Sequence, residues 1–193
     1  MSDTQKSTDR STGSLGLTTA TGEALQVQGR YTAVCRDAEG RVLWSEEFDN
    51  LVTALGRNLL LDTTLSGSAY TVTGPFMGLI SSAGYTAVAA SDTMASHSGW
   101  TEAGGTNAPT YVARKTIAWA AASGGSKASS AIAAFTFTGA GTVKGSFICL
   151  GSGATTTVDN TGGTLYSAGL FSDGDKTVAA TNTLTVTYSG TIT

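Results

Sequence analysis

Apolar and polar residues alternate along much of the chain after residue 26, which is the period of a half-buried β-strand. The runs QVQGRYTAVCRD and GRVLWSEEF alternate in this way, and the turn sequence AEG lies between them. They predict a β-hairpin over residues 26–48. In its second strand, Trp44 and Phe48 share one face with Val42, and Leu43 lies on the other face.

One segment has the helical period instead. In the sequence NLVTALGRNLLLDTTL, Leu51, Leu55 and Leu59 recur every four residues. Asp49 or Asn50 can act as the N-cap, because a short polar side chain there accepts a hydrogen bond from the first helical turn. The pattern predicts one amphipathic helix of about three to four turns, covering one side or one end of a β-domain.

The rest of the chain predicts further strands, which are rich in Thr, Val, Tyr and Phe and are divided by turns rich in Gly and Ser. The sequence ASDTMASHSGWTE follows neither period and predicts an irregular segment or one short helical turn. The further strands are expected at residues 75–82, 111–121, 129–139, 141–153, 163–174 and 182–193.

These runs predict a mainly β fold, an antiparallel β-sandwich or jelly roll with one short helix. In the last run, Leu184, Val186 and Tyr188 alternate with threonines. So regular a pattern indicates a strand that lies inside the sheet.

Residues 1–25 predict an extended N-terminal arm in front of a β-sandwich body at residues 26–193. The arm is rich in Ser, Thr and Gly and has few apolar residues, so it cannot by itself offset the entropy cost of ordering. Fully extended, it would reach about 80 Å, which is beyond the radius of a small domain. We therefore expect it to lie on a neighbouring molecule, with Leu15, Leu17 and Leu25 as its anchors.

Charge narrows the classes of partner. The 193 residues carry a formal net charge of −3, and only 13% of them are charged. The Lys and Arg residues are scattered, which argues against nucleic acid as a partner because phosphate binding needs them clustered. No apolar run approaches the length of a membrane span, so we expect no membrane partner.

The sequence offers little catalytic chemistry. His97 is the only histidine and has Asp92 and Ser96 nearby, but the chain has no GxSxG motif. Glu46 and Glu47 are adjacent in a strand and therefore point to opposite faces. The sequence Asp-Gly-Asp at 173–175 favours a simple turn over a calcium loop, whose other ligand positions it lacks. We expect no enzyme, no cofactor and no metal site.

The two cysteines, Cys35 and Cys149, both lie in strand-like runs. We expect two buried free thiols, because free Cys packs as a small apolar residue. A disulfide between them is the alternative.

The three tryptophans divide into two kinds. Trp44 and Trp119 lie in alternating runs and are expected in the core. Trp100 lies in an irregular stretch, and we expect it to be the interface aromatic.

Several sequences occur here in combination: NLVTALGRNLLLD after a hairpin, then PFMGLISS, ASDTMASHSGWTE and YVARKTIAWAAA, and a Thr-rich last strand. The combination resembles a group of small virion proteins encoded among the structural genes of tailed bacteriophages. The resemblance covers residues 41–193, and its specific parts are the DTMASH-GWTE segment and the NLVT start of the helix.

The resemblance implies a structural role on the virus particle, after synthesis in the host cytoplasm. The interpretation we favour is a capsid decoration, or cement, protein at the capsid surface. It would bind the major capsid protein, stabilise the head and form a symmetric dimer or trimer. The alternative is a tail or head-fibre component that binds host surface glycans, although the sequence lacks the repeats or long shaft typical of a fibre.

If the arm anchors the protein, replacing Leu15, Leu17 and Leu25 together by Ser will weaken binding to capsids while the body stays folded. Each leucine that becomes buried contributes about 1.5–3 kcal/mol. Occupancy on purified capsids measures the effect. Unchanged occupancy would show that these leucines are not anchors.

Overall fold

The computed structural model describes residues 26–65 and 72–193, so the expected arm at 1–25 lies outside the described residues. The elements in chain order are β1 (Val27–Arg36), β2 (Val42–Val52), α1 (Ala54–Leu65), β3 (Phe76–Ser81), β4 (Lys115–Thr116), β5 (Ser126–Ala128), β6 (Ala133–Thr136), β7 (Gly141–Leu150), β8 (Thr164–Leu170), β9 (Lys176–Val178) and β10 (Thr183–Ile192).

All the strand pairings among these elements are antiparallel, and the sheet runs in the order β4-β3-β7-β8-β2-β1-β10-β5. β6 also pairs with β10, and β9 with β7. β2 belongs to two layers, because its first part pairs with β1 whereas Asn50–Val52 pair with β8. The predicted antiparallel β-sandwich with one short helix is confirmed, as are the hairpin at 26–48 and the internal position of the last strand.

The main core lies between the two layers. Tyr31 of β1 and Phe135 of β6 are fully buried there, together with Met77 of β3 and Ile148 of β7. Tyr31 lies opposite Phe48 on one side and Tyr188 on the other. Its ring centroid is 5.1 Å from that of Phe48 and 4.9 Å from that of Tyr188. This aromatic stack joins β2, β1 and β10 across the sheet.

A second core lies on the other face of β3 and β7. Ile80 and Phe147 point to this face and pack with Met94 and Trp100 of the segment after β3. Because β3 and β7 are covered on both faces, they contain runs of consecutive buried residues, Met77–Ser81 and Gly145–Cys149, instead of alternating. The loop segment at residues 82–103 therefore acts as a third layer.

The helix begins later than predicted. Asp49 and Asn50 are not its N-cap, because β2 continues through Val52, where pairing with β8 holds the backbone extended. Thr53 caps the helix instead: its Oγ1 accepts a hydrogen bond of 3.0 Å from the amide of Gly56. The 12 residues of α1 agree with the predicted length. No helix among the described residues is long and apolar enough to cross a membrane.

The strand predicted at 111–121 is wrong for most of its length. Lys115–Thr116 pair with Phe76 and Met77 of β3, and beyond them Trp119 makes an isolated bridge with Ser129. Just before β4 the backbone pairs with a loop and not with a strand, because the amide of Arg114 donates to the carbonyl of Thr156 at 2.8 Å. The side chain of Arg114 points inward, and the residue as a whole is only 2% exposed.

Glu102 and Arg114 form a bidentate ion pair that is almost completely buried. Nε of Arg114 donates to Oε1 of Glu102 at 2.8 Å, and Nη2 donates to Oε2 at 2.6 Å. Side-chain exposure is 4% for Glu102 and 0% for Arg114. Burial raises the pKa of the Glu102 carboxyl, and the neighbouring Arg114 opposes that rise.

Further hydrogen bonds tie this pair to other parts of the chain. The amide of Asp159 donates to Oε2 of Glu102 at 2.9 Å, and Arg114 donates to the carbonyl of Asn160 at 2.7 Å. Asp159 has a φ of 60°, a left-handed conformation that Asp tolerates better than most residues. The guanidinium carbon lies 5.4 Å from the centre of the Phe147 ring. The pair therefore fastens the loops at 99–114 and 151–162 to β7.

Replacing Arg114 by Met is expected to lower the free energy of unfolding by about 3–5 kcal/mol, because it leaves a buried carboxylate without a partner. Adding Glu102→Gln should recover part of that loss. Urea unfolding measures both effects.

Arg30→Met is the matched control, because Arg30 pairs with Glu47 and Asp49 at the surface, where ion pairs contribute about 1 kcal/mol or less. If Arg114→Met were no more destabilising than Arg30→Met, the buried pair would not be a structural fastening.

Candidate functional site

Trp100 is not an interface aromatic, because it is only 2% exposed and belongs to the second core. Its Nε1 donates to a carboxylate oxygen of Asp92 at 3.0 Å. His97 stacks on it with ring centroids 4.0 Å apart, and Nδ1 of His97 lies 2.9 Å from the carbonyl oxygen of Trp100. The segment 90–102 is irregular, as predicted, and these contacts give both aromatic residues a loop-anchoring role.

Glu46 and Glu47 point to opposite faces, as predicted, and only Glu46 is buried. Oε1 of Glu46 accepts hydrogen bonds of 2.8 Å from the Ser172 hydroxyl and from the amide of Asp173. Nζ of Lys176 lies 2.9 Å from Oε2. Burial alone would raise the pKa of Glu46, but Lys176 and these two donors hold it below its usual value. These hydrogen bonds and the ion pair with Lys176 join β2 to the turn at 172–176.

Both cysteines are free and buried, as predicted. Cys35 belongs to the main core and Cys149 to the second core. Burial raises the pKa of each thiol to about 11, so both remain protonated and unreactive near neutral pH.

The remaining sequence candidates also have structural positions. Asp173-Gly174-Asp175 forms a turn, in which Asp175 pairs with Lys144 at 2.6 Å. Trp44 and Trp119 are half-buried and pack against the main core, as predicted. Within residues 26–65 and 72–193, no group of three or more His, Cys, Asp and Glu side chains could hold a metal ion.

The helix presents most of its apolar surface to the outside. Gly56 is its only buried residue, and it has no room for a side chain because the helix lies directly against the backbone of Tyr166 in β8. Leu55 is 41% exposed, Leu61 is 51% exposed and Leu65 is 76% exposed. Leu61 and Leu65 are one turn apart and so share a side of the helix. We call these three leucines the helix surface.

An apolar groove of about 510 Å³ lies between α1 and the open end of the sandwich. Leu59, Leu60 and Thr63 of α1 form one wall. The opposite wall includes Val27 at the start of β1 and Ile192 at the end of β10. Helix surface and groove therefore both involve α1, which has apolar residues on more than one side.

The inner end of the groove is aromatic. Trp119, Tyr166 and Tyr188 line it, and the Trp119 and Tyr188 rings meet edge to face with centroids 5.8 Å apart. The hydroxyl of Tyr188 accepts a hydrogen bond of 3.0 Å from the side-chain amide of Asn50. Burial raises the pKa of Tyr188 well above its usual value, so this end of the groove is uncharged.

Sequence reasoning missed this region, although one signal for it was present. The leucine run at 59–61 places apolar side chains around the helix and not along one stripe, which is typical of a helix that needs cover on more than one side. The groove itself had no sequence signal, because Val27, Trp119 and Ile192 meet only through the fold.

Glu46→Gln keeps the size of the side chain and removes its charge. The unfolded carboxyl has a pKa of about 4.3, and the folded pKa is lower. The stabilisation is therefore present above the unfolded pKa and is lost as the pH falls through the folded pKa. We expect the free energy of unfolding of the wild type to exceed that of the variant by about 1–3 kcal/mol at neutral pH. This difference should shrink below about pH 4.

Urea unfolding at a series of pH values measures this difference. Glu47→Gln is the control, because Glu47 is exposed and pairs only with Arg30 at the surface. A difference that did not shrink in acid, or one equal to that of the control, would contradict the assignment.

Comparisons of the chain with models of protein families, with curated proteins and with solved structures give no match.

Proposed function

We propose that this protein is a structural protein of a bacteriophage virion, a decoration protein that binds the major capsid protein and stabilises the head. The observation that carries the proposal is the helix surface. A helix with five leucines, of which none is buried, leaves apolar area that would normally be covered in a folded protein. In a decoration protein, such a surface would be buried against the capsid.

The β-body supports the same role. Few charges and many small side chains allow close contact with a neighbouring backbone. On a lattice the same weak contact is repeated many times, and the repeats together give high avidity. The free energy of each single contact can therefore be small. The arm residues Leu15, Leu17 and Leu25, outside the described residues, are proposed to add contact area on the capsid or on a sister subunit.

The alternative, a tail or head-fibre component that binds host glycans, needs exposed aromatic rings that stack on sugars. Every Trp, Tyr and Phe side chain of residues 26–65 and 72–193 is buried or half-buried. No observation on the described surface favours the glycan reading over the capsid reading.

Binding of the full-length protein to purified empty capsids that lack it tests the proposal. Leu61→Ser with Leu65→Ser should weaken binding about tenfold or more, because burial of each leucine contributes more than 1 kcal/mol. Co-sedimentation at a series of protein concentrations measures the affinity and the copy number at saturation. The copy number is expected to match the lattice.

Val112→Ser is the matched control, because Val112 is 82% exposed and lies outside α1. It should bind as the wild type does. Equal losses in the control and the α1 variant would show that the helix surface is not the contact. Retention on host cells with no binding to capsids would favour the fibre alternative.

A further inference from the structure

The groove beside α1 requires an apolar, uncharged occupant. Of its described lining residues, Lys127 alone carries a charge, and its Nζ already donates to the carbonyl of Ala120 at 2.9 Å. Apart from the aromatic residues at the inner end, the walls are mostly aliphatic. A phosphate or carboxylate ligand would find few partners there, whereas aliphatic side chains would fit its lining.

The chain itself supplies such side chains in residues 1–25. Leu15, Leu17 and Leu25 are the large aliphatic residues of that segment apart from Met1. In an extended segment, Leu15 and Leu17 would lie on the same side because they are two residues apart. They would be about 7 Å from each other, which suits a groove that takes consecutive apolar side chains.

The chain enters the body at the rim of this groove. The amide of Gln26 donates to the carbonyl of Thr193 at 2.8 Å, and the amide of Thr193 donates back at 3.1 Å. The neighbouring residues Val27 and Ile192 both line the groove. Tyr188 and Gly190, farther back along β10, also line the groove, so the two paired strand ends run along the groove to its rim.

Length then favours a neighbour as the receptor. Ten extended residues separate Leu17 from Val27 and span about 33 Å, close to the width of a body of this size, about 40 Å. To fill its own groove the segment would have to reverse direction, whereas without a reversal it would extend nearly one body width beyond the rim. We propose that the groove binds Leu15 and Leu17 from a second copy of this chain.

This inference deepens the proposed function, since it rests on the arm as an interaction element and selects the sister subunit as its partner. The contact joins two different surfaces, arm and groove, so it is head-to-tail and closes into a ring when the rotation between copies allows. A closed ring leaves the helix surface of each copy free for a shell.

Disulfide trapping between two variants tests the proposal in solution, without capsids. Full-length Leu17→Cys and full-length Ala122→Cys are mixed and mildly oxidised; Ala122 is an exposed residue of the groove wall. Cys35 and Cys149 are buried and do not compete. We expect a mixed disulfide dimer on non-reducing gels, at least tenfold more abundant than with the control partner.

The control partner is Glu39→Cys, an exposed position in the turn at the far end of β1. Equal trapping at both positions would overturn the proposal, and so would no trapping at either. The double variant Leu17→Cys with Ala122→Cys supplies a third readout: a disulfide within one chain, with none in the mixture, would show that each arm fills its own groove.

Capsid binding is measured separately, so the two proposals can fail separately. Mixed dimers in solution with no binding to capsids would leave the groove assignment standing and remove the decoration role. Binding to capsids without mixed dimers would leave the decoration role standing and remove the groove assignment.

Discussion

Glu102 and Arg114 form an ion pair that is almost completely buried. This pair anchors much of the irregular part of the chain to the β-sandwich. A charge of either sign is costly to bury alone. Each partner is therefore tolerated only because the other lies at 2.6–2.8 Å and because Asp159 and Asn160 supply further hydrogen bonds. This requirement positions two long loops that have few strand pairings of their own. With these loops in place, Phe147 and β7 are covered on the second face.

The layers that cover both faces of β3 and β7 do not cover the helix α1. The loop layer covers the second core, the two sheets cover the first, and α1 lies closest to the body where Gly56 packs against β8. The leucines of α1 therefore surround a groove on one side and face outward on the other. In the proposed function, this incomplete cover is what makes the protein an assembly component: the apolar area that the body cannot bury is buried against other molecules.

Alternating runs were enough to predict the hairpin, the last strand and the fold class, because period two is set locally by one buried face. Residues whose partners are distant in sequence were predicted less well. Trp100 was expected at an interface, although the second core buries it, and the burial of Arg114 against Glu102 had no local sequence signal. Asp49 or Asn50 was expected to cap the helix, because the pairing of β2 with β8 is not visible in local sequence. The groove was not predicted at all, since it forms between elements.

The most direct test of the account is image reconstruction of shells carrying the bound full-length protein. The account predicts bodies at a copy number that matches the lattice, with α1 turned towards the shell and density running from each body to the groove of the next. Bodies found only at a vertex or on the tail, or bodies on the lattice with α1 facing solvent, would contradict it.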